Sequence, residues 1–449
     1  MASISTVIAS RAAARQSRGR GTGRFAVGLG GLLRRAAPRN DGRLAAAFAL
    51  AVCVLLFAGL PARADEAADL HRRILTLDTH VDIPEDYATP AHDPSVRGDM
   101  QVDLPKMREG GLDAAFFIVY VAQGPLTEEG YADAYGKAVA KFEAIHRQSA
   151  LYGDQIELAT SPEDVERIVA KGKLAACIGV ENLYPIGTDL SKIEEFYRRG
   201  ARYMSLTHAG DDQFADSANA LGHLDEPSPH THGGLTDLGR AAIAEMNRLG
   251  VMVDVSHSSE QSTLQAIAAS RAPVIASHSA LRALNDIPRN LSDRALKALA
   301  AKGGVAQIVA FDNYLKMPPP EKVAATKALR EELGLTSAEA WRDITPETRA
   351  TYMARLKQLH AKYGRASVSD LVDHIDHAVK VAGIDHVGIA SDFGGGGGIE
   401  GYDDASQAPN VTRELLKRGY SEADIAKLWG GNLLRVWRAV EAAADKPEQ

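Results

Sequence analysis

Seven residues able to bind metal or move protons stand where apolar runs of the chain end: His80, Asp82, Glu181, His208, His257, His278 and Asp392. His80-Val81-Asp82 sets two ligands at i and i+2, which on a strand project from one face and can clasp one ion. Alone the pair says little, because a histidine at a strand end is more often a hydrogen-bonded core residue. Glu181, His257 and His278 at equivalent ends raise the set to three imidazoles and two carboxylates. Such nitrogen and oxygen donors suit zinc first, with manganese, cobalt or iron behind it. Five ligands exceed a closed tetrahedral site and would fit two ions about 3.5 Å apart sharing one carboxylate, for which Glu181 is the natural bridge. Water shared by two cations ionises near neutral pH while the ions polarise a carbonyl, so the chemistry implied is hydrolysis of an amide or ester. No rival nucleophile motif is present: there is no Gly-x-Ser-x-Gly, no Walker loop and no Gly-x-Gly-x-x-Gly at a strand-helix junction. The run Gly394 to Gly398 lacks the Lys and Ser/Thr of a phosphate loop and reads as a flexible loop at the site's edge.

The elements that must bring these residues together are eight short apolar runs separated by stretches of helical period. They are Ile74 to Asp82, Leu112 to Val121, Leu174 to Glu181, Arg202 to His208, Val251 to His257, Pro273 to His278, Gly304 to Phe311 and His386 to Asp392. Alternation of this kind predicts an α/β fold with a parallel sheet, and eight strands predict a (β/α)8 barrel of the TIM type, with a doubly wound open sheet as runner-up. The run ends decide between them, since in a barrel they converge on one mouth and in an open sheet they are strung along an edge. Between runs, Leu238, Ala242, Ile243, Met246 and Leu249 fall at helical spacing over Thr236 to Leu249, and Gly250 is placed to end that helix. Residues 317–366 break the rhythm. They open with Pro318-Pro319-Pro320, are rich in charge and contain the helix-like pieces Ala324 to Leu333 and Thr351 to Tyr363. A helical excursion over the barrel follows, serving as a lid, as an oligomer contact such as a homodimer would use, or as a plain solvated insertion.

The formal charge of -7 over 449 residues hides an asymmetry: residues 1–64 carry +9 and the remainder -16. So acidic a body argues against a nucleic-acid partner. The Arg-rich start runs into the apolar stretch Leu44 to Leu60 and then Pro61-Ala62-Arg63-Ala64, which predicts a signal peptide cleaved after about Ala64 and an exported, periplasmic or secreted protein. A membrane association is expected only if this leader is retained as an anchor. Arg34-Arg35 lacks the apolar follow-up of a twin-arginine signal, which leaves the export route open. Residues 65–449 then form one domain with a single cysteine, Cys177, inside an apolar run where a buried small hydrophobe is expected.

Longer stretches around the candidate ligands resemble the renal (membrane) dipeptidase family, zinc peptidases of the M19 type, from about Leu75 to about Glu441. They include Leu77 to Asp82, Gln101-Val102-Asp103-Leu104-Pro105, Gly179-Val180-Glu181, Leu206-Thr207-His208, Asn247 to Gly250, Asp254 to His257, Pro273 to Ser279, Pro288-Arg289-Asn290 and Asn432 to Val436. The resemblance implies two zinc ions, His80 and Asp82 on one, His257 and His278 on the other, and Glu181 bridging both. It implies that His208 faces the scissile group, that Arg289 binds the substrate's terminal carboxylate with Tyr314 near the same end, and that Asp392 moves a proton between the attacking water and the leaving amine. The substrate implied is a small molecule, a dipeptide with a free carboxylate, including one with a D-residue at its carboxyl end. A metal amidohydrolase acting on another small amide such as an N-acyl amino acid is the alternative, and a non-catalytic exported binder of metal or ligand is the reading from another class. Three stretches depart from the family pattern: Ala209 to Ala218, the glycine after Asp392-Phe393 where many relatives carry a second acid, and the long segment 317–366.

Overall fold

The computed structural model describes residues 65–445, apart from Gly222, residues 338–339 and 342–343, and the side chains of residues 223–225. The expected leader over residues 1–64 lies outside the described residues. Each of the eight apolar runs contains a strand: β1 (Leu77–Asp82), β2 (Ala114–Tyr120), β3 (Leu174–Glu181), β4 (Ala201–Ser205), β5 (Met252–Asp254), β6 (Ile275–Ser279), β7 (Val305–Val309) and β8 (Val387–Ala390). They pair in sequence order, all parallel. Closure comes just past β8, where Val81 bridges Phe393. There Asp82 N donates to Phe393 O at 2.7 Å and Asp392 N to His80 O at 3.1 Å. The seam of this (β/α)8 barrel therefore runs through the backbone of three candidate site residues.

The strands are apolar on both faces because both faces are covered. Toward the axis, Leu77, Phe116, Ile118, Cys177, Tyr203, Met252, Ile275 and Val305 pack with Leu433, Val436 and Trp437 of the C-terminal helix Asn432–Ala442. Trp437 lies 5.6 Å from Phe116, so this helix plugs the amino ends of the strands and leaves the carboxyl ends to the polar residues. Cys177 is wholly buried in that interior, and burial pushes its thiol far above the range where it ionises. Gly179 on β3 is required by a close approach: a Cβ there would stand 2.3 Å from Cζ of Tyr203, whose ring passes over it on the way to His80.

Three helices matter for the site. The first, α1 (Glu128–Leu151), follows β2. The next, α2 (Pro320–Glu332) and α3 (Pro346–Tyr363), make up most of the segment 317–366 and share a small core of Leu329, Leu335 and Tyr352, with Trp341 edge-on to Tyr352. The excursion is tied at both ends to one buried carboxylate, since Asp312 accepts from Lys322 Nζ at 2.6 Å and from Ala366 N at 2.6 Å. Elsewhere the helix read from spacing spans Asp237–Leu249, capped by Thr236 Oγ1, a contact worth about 1 kcal/mol, and Gly250 ends it. A three-residue strand, Ile156–Leu158, beside β3 and a hairpin of Asn219–Ala220 with His223–Pro227 were not expected. Among the described residues no helix is long and apolar enough to cross a membrane.

Candidate metal centre

Of the seven residues at run ends, His80, Asp82, Glu181 and His278 lie on strands, and the other three stand beyond them. His257 is three residues past β5 and Asp392 two past β8, and both take left-handed backbone angles, φ 66° and 58°. Such angles cost a non-glycine residue about 1–3 kcal/mol and are held by surrounding contacts. For His257 the contact is Ala218, whose N–H meets its carbonyl at 2.7 Å; for Asp392 it is the seam with β1. His208 is three past β4, and Ser217 Oγ donates to the carbonyls of both His208 and His257, tying the two turns together. Ser217 belongs to the departing stretch 209–218, which buried carboxylates fold from within: Asp212 accepts from Phe214 and Ala215 N–H, and Asp216 from His232 and Gly234 N–H.

The barrel brings the ligand set to one point. Glu181 Oε1 is 3.1 Å from His257 Nε2 and 3.3 Å from His278 Nε2, while Oε2 is 3.6 Å from His80 Nε2, which is itself 3.4 Å from Asp82 Oδ2. Three groups could each hold an ion with ligand atoms within 4.8 Å of one another: His80 with Asp82 and Glu181; Glu181 with His257 and His278; and His80 with His278 and Asp392. The chemistry of the donors fits a cation. Buried His80 Nε2, Asp82 Oδ1 and Glu181 Oε1 have no hydrogen-bond partner, and unpaired buried groups of this kind carry a penalty of about 1–3 kcal/mol each.

Residues beneath the site set the tautomers. Tyr203 OH donates to Thr79 O at 3.0 Å and therefore accepts from His80 Nδ1 at 2.9 Å, leaving the Nε2 lone pair free. Ser277 Oγ donates to Asp254 Oδ2 at 2.6 Å and so accepts from His278 Nδ1 at 2.8 Å, with the same consequence. Burial lowers His257 and His278 well below the usual imidazole range, with Arg289 and neighbouring imidazoles adding to it, so both are neutral donors. Burial works against a charge on His80 too, but Glu181 and Asp82 outweigh it and push it well above the usual value; the two carboxylates attract a positive charge to this spot. Burial raises Glu181, yet His80, His208 and the imidazoles of His257 and His278 beside it leave it well below its ordinary value, ionised. Asp392 goes the opposite way: burial, with Asp82 and Glu181 adding repulsion against the pull of His80 and Arg289, pushes its carboxyl well above the ordinary value.

Arg289 is buried, 3% exposed, which excludes a surface ion pair. It donates to Ser279 Oγ at 2.8 Å and His278 O at 2.5 Å, its Nε is buried without a partner, and its guanidinium lies 5.0 Å from the centre of the Tyr314 ring. Tyr314 stacks on Phe311 at 4.1 Å, and burial pushes its hydroxyl up to about 12. The His208 ring lies 4.2 Å from that of His257 and 4.6 Å from that of Tyr120, tilted to both. The glycine run lies at the edge of the site, as expected, and its composition has a steric reason. A Cβ on Gly395 would come 2.4 Å from both Asp82 Oδ2 and Asp392 Oδ1, so this stretch is glycine to let backbone pass close over two site carboxylates. Tyr203, Asp254, Ser277, Ser217 and Tyr120 were not singled out by sequence; strand pairing, and for Ser217 the folding of the loop 209–218, places them under or beside the histidines.

The family model described as Membrane dipeptidase (Peptidase family M19) matches residues 64–449. The chain belongs to that family. As a member of peptidase family M19 it is a dipeptidase of the metal-dependent hydrolase type, and the ligand groups above are where its metal would be held. Dipeptidase tcpJ of Claviceps purpurea is 33% identical over 349 residues, covering 76% of this chain and 70% of that one. Dipeptidase 3 of Mus musculus is 30% identical over 396 residues, covering 86% and 68%. Among solved structures, the probable dipeptidase PvdM from Pseudomonas aeruginosa is 36% identical with a TM-score of 0.75, covering 84% of this chain and 98% of that one.

Proposed function

We propose that this M19 member is a binuclear zinc dipeptidase that cleaves L,L dipeptides and accepts a D-residue at the carboxyl end. The observation that carries the reading is that Glu181 belongs to two ligand groups at once, one with His80 and Asp82 and one with His257 and His278. The all nitrogen and oxygen donor set suits zinc. When bound, two such ions supply a Lewis acid for the amide carbonyl and an ionised water as nucleophile.

The chain's own residues do the rest. Arg289, with two nitrogens spent on His278 O and Ser279 Oγ, keeps Nε for the substrate's terminal carboxylate, and the Tyr314 ring beside it fixes the plane of the guanidinium. Tyr120 keeps its proton because burial and the nearby carboxylates raise its hydroxyl, and that hydroxyl lies 3.4 Å from His208 Nδ1. In the tautomer this favours, His208 Nε2–H is the donor available to an oxyanion. Asp392, beside His80 and His278 and with a raised affinity for a proton, is the group placed to carry one to the leaving amine. We infer an exported protein, periplasmic or secreted once residues 1–64 are removed, that works as a homodimer.

The test is expression of residues 65–449, elemental analysis for metal per chain, and assay of L,L and L,D dipeptides and N-acetyl amino acids with and without a chelator. About two zinc ions per chain with chelator-sensitive dipeptide cleavage supports the reading. Cleavage confined to the N-acyl substrates favours the amidohydrolase alternative, for which Arg289 would serve equally well. Metal without any turnover leaves a binding protein.

A further inference from the structure

Lys141 lies midway along α1, yet it is only 8% exposed. Its long side chain reaches from the helix layer to the mouth, placing Nζ 5.7 Å from the centre of the Tyr120 ring. Tyr120 is the last residue of β2, in register with Glu181 on β3, and its ring lies on His208. The ammonium is therefore at the rim of the metal centre. Among the described residues it donates no hydrogen bond, and no carboxylate comes within ion-pair distance of it. The charges it feels are Asp82, Glu85 and Glu181 on one hand and Arg349 of α3 on the other. A lysine whose stem is held down by its surroundings and whose ammonium at the mouth has no hydrogen-bond or ion-pair partner among the described residues is placed to receive an anion that enters there.

The position of Lys141 relative to Arg289 says which part of a substrate that anion is. Arg289 donates to His278 and Ser279 at the end of β6, whereas Lys141 lies over Tyr120 at the end of β2, four strands away around an eight-stranded barrel, so the two cations flank the centre from opposite sides. With the terminal carboxylate on Arg289 and the scissile amide over the ligands, the side chain of the N-terminal residue is directed toward Tyr120 and Lys141. We propose that Lys141 is a specificity-determining residue that binds an acidic side chain at the substrate's amino end, making Asp-Xaa and Glu-Xaa dipeptides the preferred class. This rests on the dipeptidase reading and on Arg289 as its carboxylate clamp.

The test compares Glu-Ala with its neutral isostere Gln-Ala on the metal-loaded protein and on the Lys141→Met and Lys141→Arg variants. Metal content and the affinities of the two reduced-amide analogues, measured by calorimetry, are followed in parallel. The native protein is expected to favour Glu-Ala over Gln-Ala by about tenfold or more in kcat/KM, as a charge-assisted hydrogen bond supplies. Lys141→Met should bring that ratio, and the ratio of the two affinities, close to one, and Lys141→Arg should restore most of it. Hydrolysis of both peptides with no acidic preference in the native protein overturns the Lys141 site while leaving the dipeptidase reading intact. Equal loss on both peptides together with loss of metal makes Lys141 a counter-charge to Asp82 and Glu181, which also overturns it. Failure to cleave any dipeptide overturns the dipeptidase reading and the inference with it.

Discussion

Replacing Tyr203 by Phe tests how the chain prepares its histidine ligands. The hydroxyl accepts from His80 Nδ1 at 2.9 Å and donates to Thr79 O at 3.0 Å, both in a fully buried setting. Phe fills the same slot over Gly179, so the change removes two hydrogen bonds with almost no change of volume. Each buried group left without its partner costs about 1–3 kcal/mol. Loss of an outer contact that orients a ligating histidine weakens metal binding about 10- to 100-fold. The expected result is a Tyr203→Phe protein that folds, unfolds at lower denaturant than the parent, and binds zinc 10- to 100-fold more weakly in competition with a chromophoric chelator. The loss should fall on the ion held with His80 and Asp82 rather than on that held by His257 and His278. Parent-like zinc affinity at both positions would refute the argument that Tyr203 sets the His80 tautomer.

Four other perturbations bear on separate parts of the site. Glu181→Gln should weaken both ions together, seen as metal content falling from about two per chain toward zero; a variant holding two metals at the parental rate would remove the shared carboxylate from the account. Asp392→Asn should reduce kcat by about 100-fold or more with metal content unchanged, because a positioned proton carrier contributes about that much; an unaltered rate would mean another group moves the proton. Arg289→Ala should raise KM for free-carboxylate dipeptides about 10-fold or more and leave their carboxamide analogues almost untouched, as expected for loss of a charge-assisted contact; equal effects on both would contradict the clamp. Asp212 lies away from the ligands in the fold of 209–218, and burial pushes its carboxyl up to about 8 from 3.8. A pKa raised on folding contributes stability that is complete below the unfolded value and lost as pH rises through 8. The parent's unfolding midpoint should therefore fall between about pH 4 and 8 more steeply than that of Asp212→Asn, and level off above; parallel curves would contradict the assignment.

Much of this was legible in the chain before any coordinates. All eight strands coincide with apolar runs to within a residue because parallel strands covered on both faces must be continuously apolar, and β3, with all eight residues from Leu174 to Glu181 buried, is the plainest instance. The ligand types were legible because they interrupt those runs. What could not be read is the conformation beyond the strands. His257 and Asp392 carry left-handed backbone that nothing in their neighbours' identity announces, and it is closed by contacts from Ala218 and His80, distant in sequence. Tyr203 and Ser277 look like ordinary strand residues until pairing sets them under His80 and His278. Ile156–Leu158 is too short to carry a period, and Glu157 breaks it in the middle. Lys141 reads as any helix lysine until its burial is known. The place of the glycine run at the site's edge is legible, but the close approach of Gly395 to Asp82 and Asp392 is not.

The most direct measurement is a titration of zinc into chelator-stripped protein, residues 65–449, with dipeptide hydrolysis followed at each addition. If Glu181 joins two ligand groups into one working centre, activity should be absent at the start and reach its plateau at two equivalents per chain. Full activity at one equivalent, or activity that survives stripping, would contradict the binuclear account.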